Sequence, residues 1–326
     1  MNRLSAFTIA ALIGGCAAAP LAWAQDYPSR VITIVVPFPA GGPSDILARI
    51  LAERMKMSLG QSLIIENVGG AGGSIGVGRA ARTAPDGYTL SIGNWGTHVV
   101  NGAIYPLRYD LLKDFEPVAF LSSNPQLIVA KNAVPAKNLQ ELIAWLKANQ
   151  DKVSAGTGGI GTPSHIIGIY FQNNTGTHFQ FVPYRGGAAP VQAVVAGEVD
   201  LMFAQSSDVL PHVQSGRMKA YALMAKARLA SAPDIPTVDE AGLPAFHMSV
   251  WFGLWAPRGT PKEVIAKLNA AVVDALANPA VRQRLTGLGM EIPPREQQTP
   301  EALRAHHKAE IDKWWPVIKA ANIRVE

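Results

Sequence analysis

Residues 31–55, VITIVVPFPAGGPSDILARILAERM, join a β-branched apolar run to a helical pattern through a turn of Pro37, Pro39, Gly41, Gly42 and Pro43. Val31–Val36 reads as a buried strand, because β-branched side chains suit a pleated interior surface. Pro37 and Pro39 hold its exit extended. Pro43 suits the first helical position, where a missing N–H is not needed.

The same alternation runs along most of the chain. Ile46–Ser58 is the first helix and Ser62–Glu66 the second strand, with a glycine-rich loop and a helix near Val77–Arg82 behind it. Tyr88–Ile92, Leu127–Ala130, Val153–Ala155, Phe179–Val182 and Leu201–Phe203 read as further strands. Helices are expected at Leu139–Asn149, from about Ser164, and around Ala188–Ala196. This pattern favours an α/β fold with a parallel sheet and helices on both faces. Thr260-Pro261-Lys262-Glu263 and Thr237-Val238-Asp239-Glu240 each read as a capping box that opens a helix. Thr299–Ile323 is an amphipathic helix, and Pro316 predicts a kink in it.

The first two dozen residues stand apart. Arg3, the apolar run Leu4–Ala19 and the small-x-small site Ala22-Trp23-Ala24 read as a secretory signal peptide of residues 1–24. Cys16, the only cysteine, keeps a second reading open, that of a lipoprotein starting at that residue. About 300 residues follow Ala24, which exceeds one comfortable core and suggests two domains. Loss of Arg3 takes the formal charge from +5 to +4, and no cluster of five Lys or Arg exists. A nucleic-acid partner is therefore not expected. Charged residues make up 16% and no later segment is apolar for 18 residues, as in a core-rich globular protein.

Chemistry in open α/β sheets sits where strands end and helices begin. Here those places are rich in Gly, Ser, Thr and Asn: Gly41–Asp45, Gly93–His98, Gly156–His165 and Tyr184–Gly187. Glycines admit a ligand to backbone N–H groups, and a helix start adds partial positive charge. The plainer explanation is that these glycines only make tight turns. Between Lys152 and Gly197 there is no Asp or Glu, so a cleft walled by this segment suits a small anion, most simply a carboxylate.

Two enzyme motifs compete. Gly156-Thr157-Gly158-Gly159-Ile160-Gly161 matches a dinucleotide fingerprint, but the acidic residue such a site needs about 20 positions on is missing until Glu198. Gly72-Gly73-Ser74-Ile75-Gly76 matches a nucleophile elbow, which leaves an exported esterase using Ser74 as the alternative. His98, His165, His178, His212, His247, His306 and His307 form no metal-ligand spacing, and no metal or cofactor is expected. His306 and His307 read as solvent-facing on the last helix.

From about Tyr27 to Ile323 the chain resembles the periplasmic substrate-binding proteins of tripartite tricarboxylate transporters, the Bug family. The resemblance rests on YPSRVITIVVPFPAGGPSDILAR, GQSLIIENVGGAGGSIG, APDGYTLSIGN, LLKDFEPV, SHIIGIYF, FVPYRGGAAPVQAVVAGEVDLMF, DIPTVDEAGLP and WFGLWAPRGTPKEVIAKLN, in this order. It implies a two-lobed, flytrap-like binding protein of type II, each lobe a mainly parallel sheet flanked by helices. Residues 25–124 and 250–326 would form lobe one and 125–249 lobe two, with crossovers at Pro125 and Pro244–Trp251. The implied function is periplasmic capture of a small carboxylate, without catalysis, by a monomer that delivers it to membrane permease subunits. A sensor that signals to a membrane kinase is a further alternative.

Carried over by resemblance, lobe one would bring Phe38, Ala40, Gly41, Gly42, Ser44 and Asp45, with Asn94, Trp95 and Thr97. Lobe two would bring Gly158, Thr162, Ser164, His165, Tyr184, Arg185, Gly186, Gly187 and Asp208. A carboxylate is expected at the Ser164 helix start, with a second amide nest at Gly186 and Gly187. Arg185 either binds it or faces solvent. Asp208 orients a donor, meets an amine or hydroxyl, or caps a helix. Trp95 stands where the family commonly carries a small residue, so a flat, terephthalate-like carboxylate is expected over citrate or a C4 diacid. The alternative is that Trp95 packs between the lobes or lies on the surface.

Overall fold

The computed structural model describes residues 27–320. The expected signal peptide, its cleavage site after Ala24 and Cys16 lie outside the described residues. The chain runs β1 (Ile32–Val36), α1 (Pro43–Leu59), β2 (Leu63–Asn67), α2 (Ser74–Ala81), β3 (Thr89–Asn94), α3 (Asn101–Ile104) and β4 (Phe115–Ala130). It continues α4 (Leu139–Ala148), β5 (Ser154–Thr157), α5 (Pro163–Thr175), β6 (Gln180–Pro183), α6 (Ala188–Ala196), β7 (Leu201–Gln205) and α7 (Ser206–Gln214). The last elements are β8 (Lys219–Leu223), β9 (Ser249–Pro257), α8 (Lys262–Ala277), α9 (Pro279–Gly287) and α10 (Pro300–Ala320).

One curled mixed sheet carries them in the order β2-β1-β3-β9-β4-β7-β5-β6, with β8 also on β4. β1 is parallel to β2 and β3, and β5 is parallel to β6 and β7. These outer pairs are the strand–helix units that the sequence predicts. Antiparallel pairing enters at the centre, where β9 meets β3 and β4, and β4 meets β7 and β8.

β4 changes partners within its length. Phe115–Pro125 pair with β9, and Pro125 faces Ser249. From Gln126, which faces Gln205, the strand pairs with β7 and β8. Proline cannot donate to a ladder and is tolerated at edges, strand starts or bulges. Pro117 sits at a register shift and Pro125 at the change of partner. These interruptions reduce the apparent strand to Leu127–Ala130 in a reading by periodicity. β8 and β9 escape that reading as well.

α10 lies along β4 and buries Leu303, His307, Ile311, Trp314 and Ile318, a helical stripe spaced by three and four. It contains Pro316 and continues to Ala320. This packing corrects the solvent-facing expectation for two histidines. His307 is buried and bonds through Nε2 to His98 O at 2.6 Å, while His306 stacks on Phe120 at 5.0 Å. Both capping boxes also differ from expectation. Thr237 and Glu240 do exchange bonds (2.7 and 3.2 Å), but no helix follows them. Thr260 Oγ1 donates instead to Pro257 O at 2.8 Å, and α8 starts without a side-chain cap.

Candidate ligand-binding site

Four helices begin at one cavity. α1 starts behind Gly42, α5 behind Thr162, α6 behind Gly187 and α7 behind Gln205. At none of these four starts does the N-cap side chain bond the helix, although Asn124 Oδ1 accepts from Ser207 N–H in α7 at 3.4 Å, whereas Asn138 and Asn278 cap α4 and α9 away from the cavity. The first N–H groups of a helix lack partners within it and carry partial positive charge. Phe38, Gly42, Ser44 and Asn94 wall one side, and Gly158, Thr162, Ser164, Gly186, Gly187 and Asp208 the other.

Local sequence explains how these groups are held. Pro43 and Pro163 open α1 and α5 at positions where no N–H is required, which sets Ser44 and Ser164 second in each helix. Thr162 Oγ1 donates to Gly159 O at 2.7 Å, and Ser164 Oγ accepts from Gly158 N–H at 3.0 Å. The two hydroxyl oxygens lie 3.1 Å apart, so the loop and the helix start brace each other. Gly186 has φ +84 and lies against Pro39; a Cβ there would sit 3.1 Å from Pro39 Cδ. This is where the two walls touch.

Other expected residues stand behind the wall. Ala40 and Gly41 are exposed, and Gly41 N–H donates to Asp45 Oδ2 at 3.0 Å. Asp45 also takes bonds from Arg49 at 3.0 and 2.9 Å and from Asn67 at 3.0 Å. Burial raises its pKa, but those hydrogen bonds hold it below the usual carboxylate value overall. Asp45 therefore braces the turn. Trp95 is 1% exposed and meets Trp314 edge-on at 5.2 Å, so it offers the cavity no flat face. Its large ring is taken up by the packing of α10.

Thr97 is fully buried and exchanges bonds with Asn94: Asn94 N–H to Thr97 Oγ1 at 2.9 Å, and Thr97 N–H to Asn94 Oδ1 at 3.1 Å. That closes the turn and leaves the Asn94 NH2 group as the donor at the wall. His165 Nδ1 accepts from Gly161 N–H at 3.2 Å and its ring packs edge-on to Phe181, 4.8 Å away. Burial lowers its pKa, so it acts as a neutral brace of the loop. Tyr184 and the exposed Arg185 line an outer groove of ≈ 1170 Å³. The groove shares Phe38, Gly158, Thr162 and Gly186 with the cavity, which places both residues at its mouth.

Gln126, Gln205, Met202 and Phe203 also line the cavity and were not anticipated. Gln205 closes the Leu201–Gln205 strand, a strand end of the kind that marks such sites. Gln126 gives no comparable signal, because its strand was only partly legible.

Residues 47–323 match the family model for the tripartite tricarboxylate transporter family receptor. The chain belongs to that receptor family. Among solved structures, it is similar to the periplasmic binding protein BugD, with 37% identity, a TM-score of 0.87, and coverage of 92% of this chain and 100% of the other. It is also similar to MatC from Rhodopseudomonas palustris with bound malate (41% identity, TM-score 0.86, 90% and 100% covered). A third, an R. palustris protein with adipate, shows 32% identity and a TM-score of 0.87 over 92% and 100% of the chains.

Members of this family are receptors, and the two enzyme motifs stand at the starts of α2 and α5 in this one. Ser74 heads α2 outside the cavity. Among the described residues no histidine is hydrogen-bonded to it. His98 pairs with Thr97, His165 with Gly161, His247 with Asp239 and His307 with His98 O. Gly156–Gly161 does link β5 to α5, the strand–turn–helix setting of a dinucleotide loop. Here it delivers Thr162 and Ser164 to the cavity. Among the described residues Asp208 is the only ionisable side chain of Asp, Glu, Lys or Arg on the cavity wall, and desolvation by burial pushes its pKa up to about 7.

Proposed function

We propose that this chain is a periplasmic receptor that captures a small carboxylate and delivers it to a permease of the tripartite tricarboxylate type. The convergence of the helix starts of α1, α5 and α6, none capped by its own N-cap side chain, on one cavity carries this reading. Such starts hold an anion through N–H groups and dipoles without a formal cation. The relatives with malate and adipate support the same ligand class. The carboxylate would lie at the starts of α5 and α6, with the Ser164 hydroxyl and the Gly187 amide donating to it and Thr162, whose hydroxyl donates to Gly159 O, bracing the loop beside it. The α1 start, with Gly41 already answered by Asp45, suits a neutral or water-bridged oxygen.

Capture would proceed by closure of two lobes, residues 25–124 with 250–326 against 125–249. The change of partner in β4 after Pro125 supports a hinge there. Closure would be sealed by the contact of Pro39 with Gly186. Titration calorimetry against aliphatic, aromatic and amino-substituted carboxylates tests the reading. At least one should bind, and Ser164→Ala should weaken it about tenfold, the loss of one hydrogen bond to a charged group. Binding of no carboxylate, or binding indifferent to Ser164→Ala, would overturn it.

A further inference from the structure

Three of the four helix starts present donors to the cavity; the fourth, that of α7, presents acceptors. Gln205 precedes this helix and Asp208 lies in its first turn. Gln205 faces Gln126 in the pairing of β7 with β4, and all three residues line the cavity. Gln205 Oε1 is buried with no hydrogen-bond partner. Gln126 Nε2 donates to Asn124 O at 3.3 Å, which leaves its amide oxygen as the free end. Among the described residues, no side chain donates to Asp208 and no Lys or Arg lines the cavity. Arg49 is engaged by Asp45, and Arg185 stands in the outer groove.

A buried acceptor without a donor keeps its full desolvation cost, and a charged one costs more. Among the described residues nothing offsets that cost beside Asp208. A second carboxylate placed there would face a carboxyl group and two amide oxygens. An ammonium group, with three N–H donors and a positive charge, satisfies all three acceptors.

On the carboxylate reading above, we propose that the ligand is a zwitterion: its protonated amine is held by Gln126, Gln205 and Asp208, and its carboxylate lies at the starts of α5 and α6. Donors thus face the acid and acceptors face an amine beside it, since Asp208 Oδ2 lies close to the start of α6. Selection between an amino acid and its deaminated analogue falls to Asp208 and Gln205.

Matched pairs that differ only in the amine test this: L-aspartate with succinate, L-glutamate with glutarate, and 4-(aminomethyl)benzoate with 4-methylbenzoate. Titration calorimetry at pH 8 should show the amino member of at least one pair binding tenfold or more tighter than its partner. Asp208→Asn should remove most of that preference, chiefly by weakening the amino member, with apo thermal stability at pH 8 raised rather than lost. Gln205→Leu should act in the same direction. Tighter binding of the deaminated member in every pair that binds would overturn the amine site and leave the carboxylate receptor standing. So would a loss in Asp208→Asn that is equal for both members. If no member of any pair binds, both readings fall.

Discussion

Asn124 Oδ1 accepts a 2.5 Å hydrogen bond from Ser206 Oγ, which ties β4 to the first residue of α7. The same amide donates to Ser207 Oγ at 2.6 Å, and Ser206 Oγ lies 2.9 Å from Gly289 O. Asn124, Ser206 and Ser207 are all buried. Asn124 stands beside the change of partner in β4, and α7 carries Asp208 at the cavity. One amide therefore joins the strand crossing to the acceptor end of the cavity.

Asn124→Ala removes both ends of that amide; Ser206 Oγ keeps Gly289 O, while the buried Ser207 Oγ loses its donor. We expect a loss of about 1–3 kcal/mol, the cost of an unmade buried hydrogen bond. Urea unfolding followed by tryptophan fluorescence measures it. A loss under about 1 kcal/mol would mean that the network contributes little more than its exchange with water.

Asp208 gives stability a signed pH dependence. Its pKa is about 7 in the folded chain against an ordinary value of 3.8. Between those values the folded state binds more protons than the unfolded one, so this group lowers stability as pH rises from about 4 to 7. Asp208→Asn lacks the effect. The ligand-free variant should match the parent near pH 4 and exceed it above pH 7, by about 2–4 kcal/mol. Burial depresses His307 to about 4 and acts with the opposite sign, but it is common to both proteins and cancels in the comparison. A difference that is flat across pH 4–8 would place the Asp208 carboxyl in contact with water.

Much of this site is legible because the chain marks its helix starts with Pro and Gly. Pro43, Pro163 and Gly187 announce where free N–H groups lie, and the hydroxyls of Ser44, Thr162 and Ser164 follow in order. What escapes is decided by tertiary packing. Trp95 sits one residue from the cavity-lining Asn94, yet its ring turns into α10 because Trp314 offers an apolar partner there. Gln126 is hidden for a different reason: its place on the wall depends on a strand whose prolines interrupt the pattern. His307 looks polar in sequence, but the stripe Leu303, Ile311 and Trp314 carries it inward with them.

The placement of Trp95 makes a prediction of its own. Trp95→Phe should cost about 1–3 kcal/mol, because the smaller ring leaves space against Trp314. The order of preference across a carboxylate panel should not change. Thermal melts and competition titrations on the same preparation measure the two effects. A reordered panel with unchanged stability would put the ring at the ligand after all.

Gly186 and Gly187 are adjacent but should respond differently to a methyl group. Gly186 has φ +84, where an L side chain is strained by roughly 1–2 kcal/mol. Its new Cβ would also press on Pro39 across the cavity mouth at 3.1 Å. Gly186→Ala should therefore lower both stability and ligand affinity. Gly187 has φ −76 and ψ −33, ordinary helical backbone that alanine accepts. Its Cβ would lie 3.2 Å from Asp208 Oδ2 and 3.6 Å from Pro43 Cδ, inside the ligand space. Gly187→Ala should keep or slightly raise the apo melting temperature while weakening binding about tenfold or more, since the methyl group displaces ligand atoms from a close-packed wall. Calorimetry and thermal melts on the pair separate these outcomes. If Gly187→Ala binds as well as the parent, the ligand does not reach the start of α6, and the anion site must be assigned to α5 and α1.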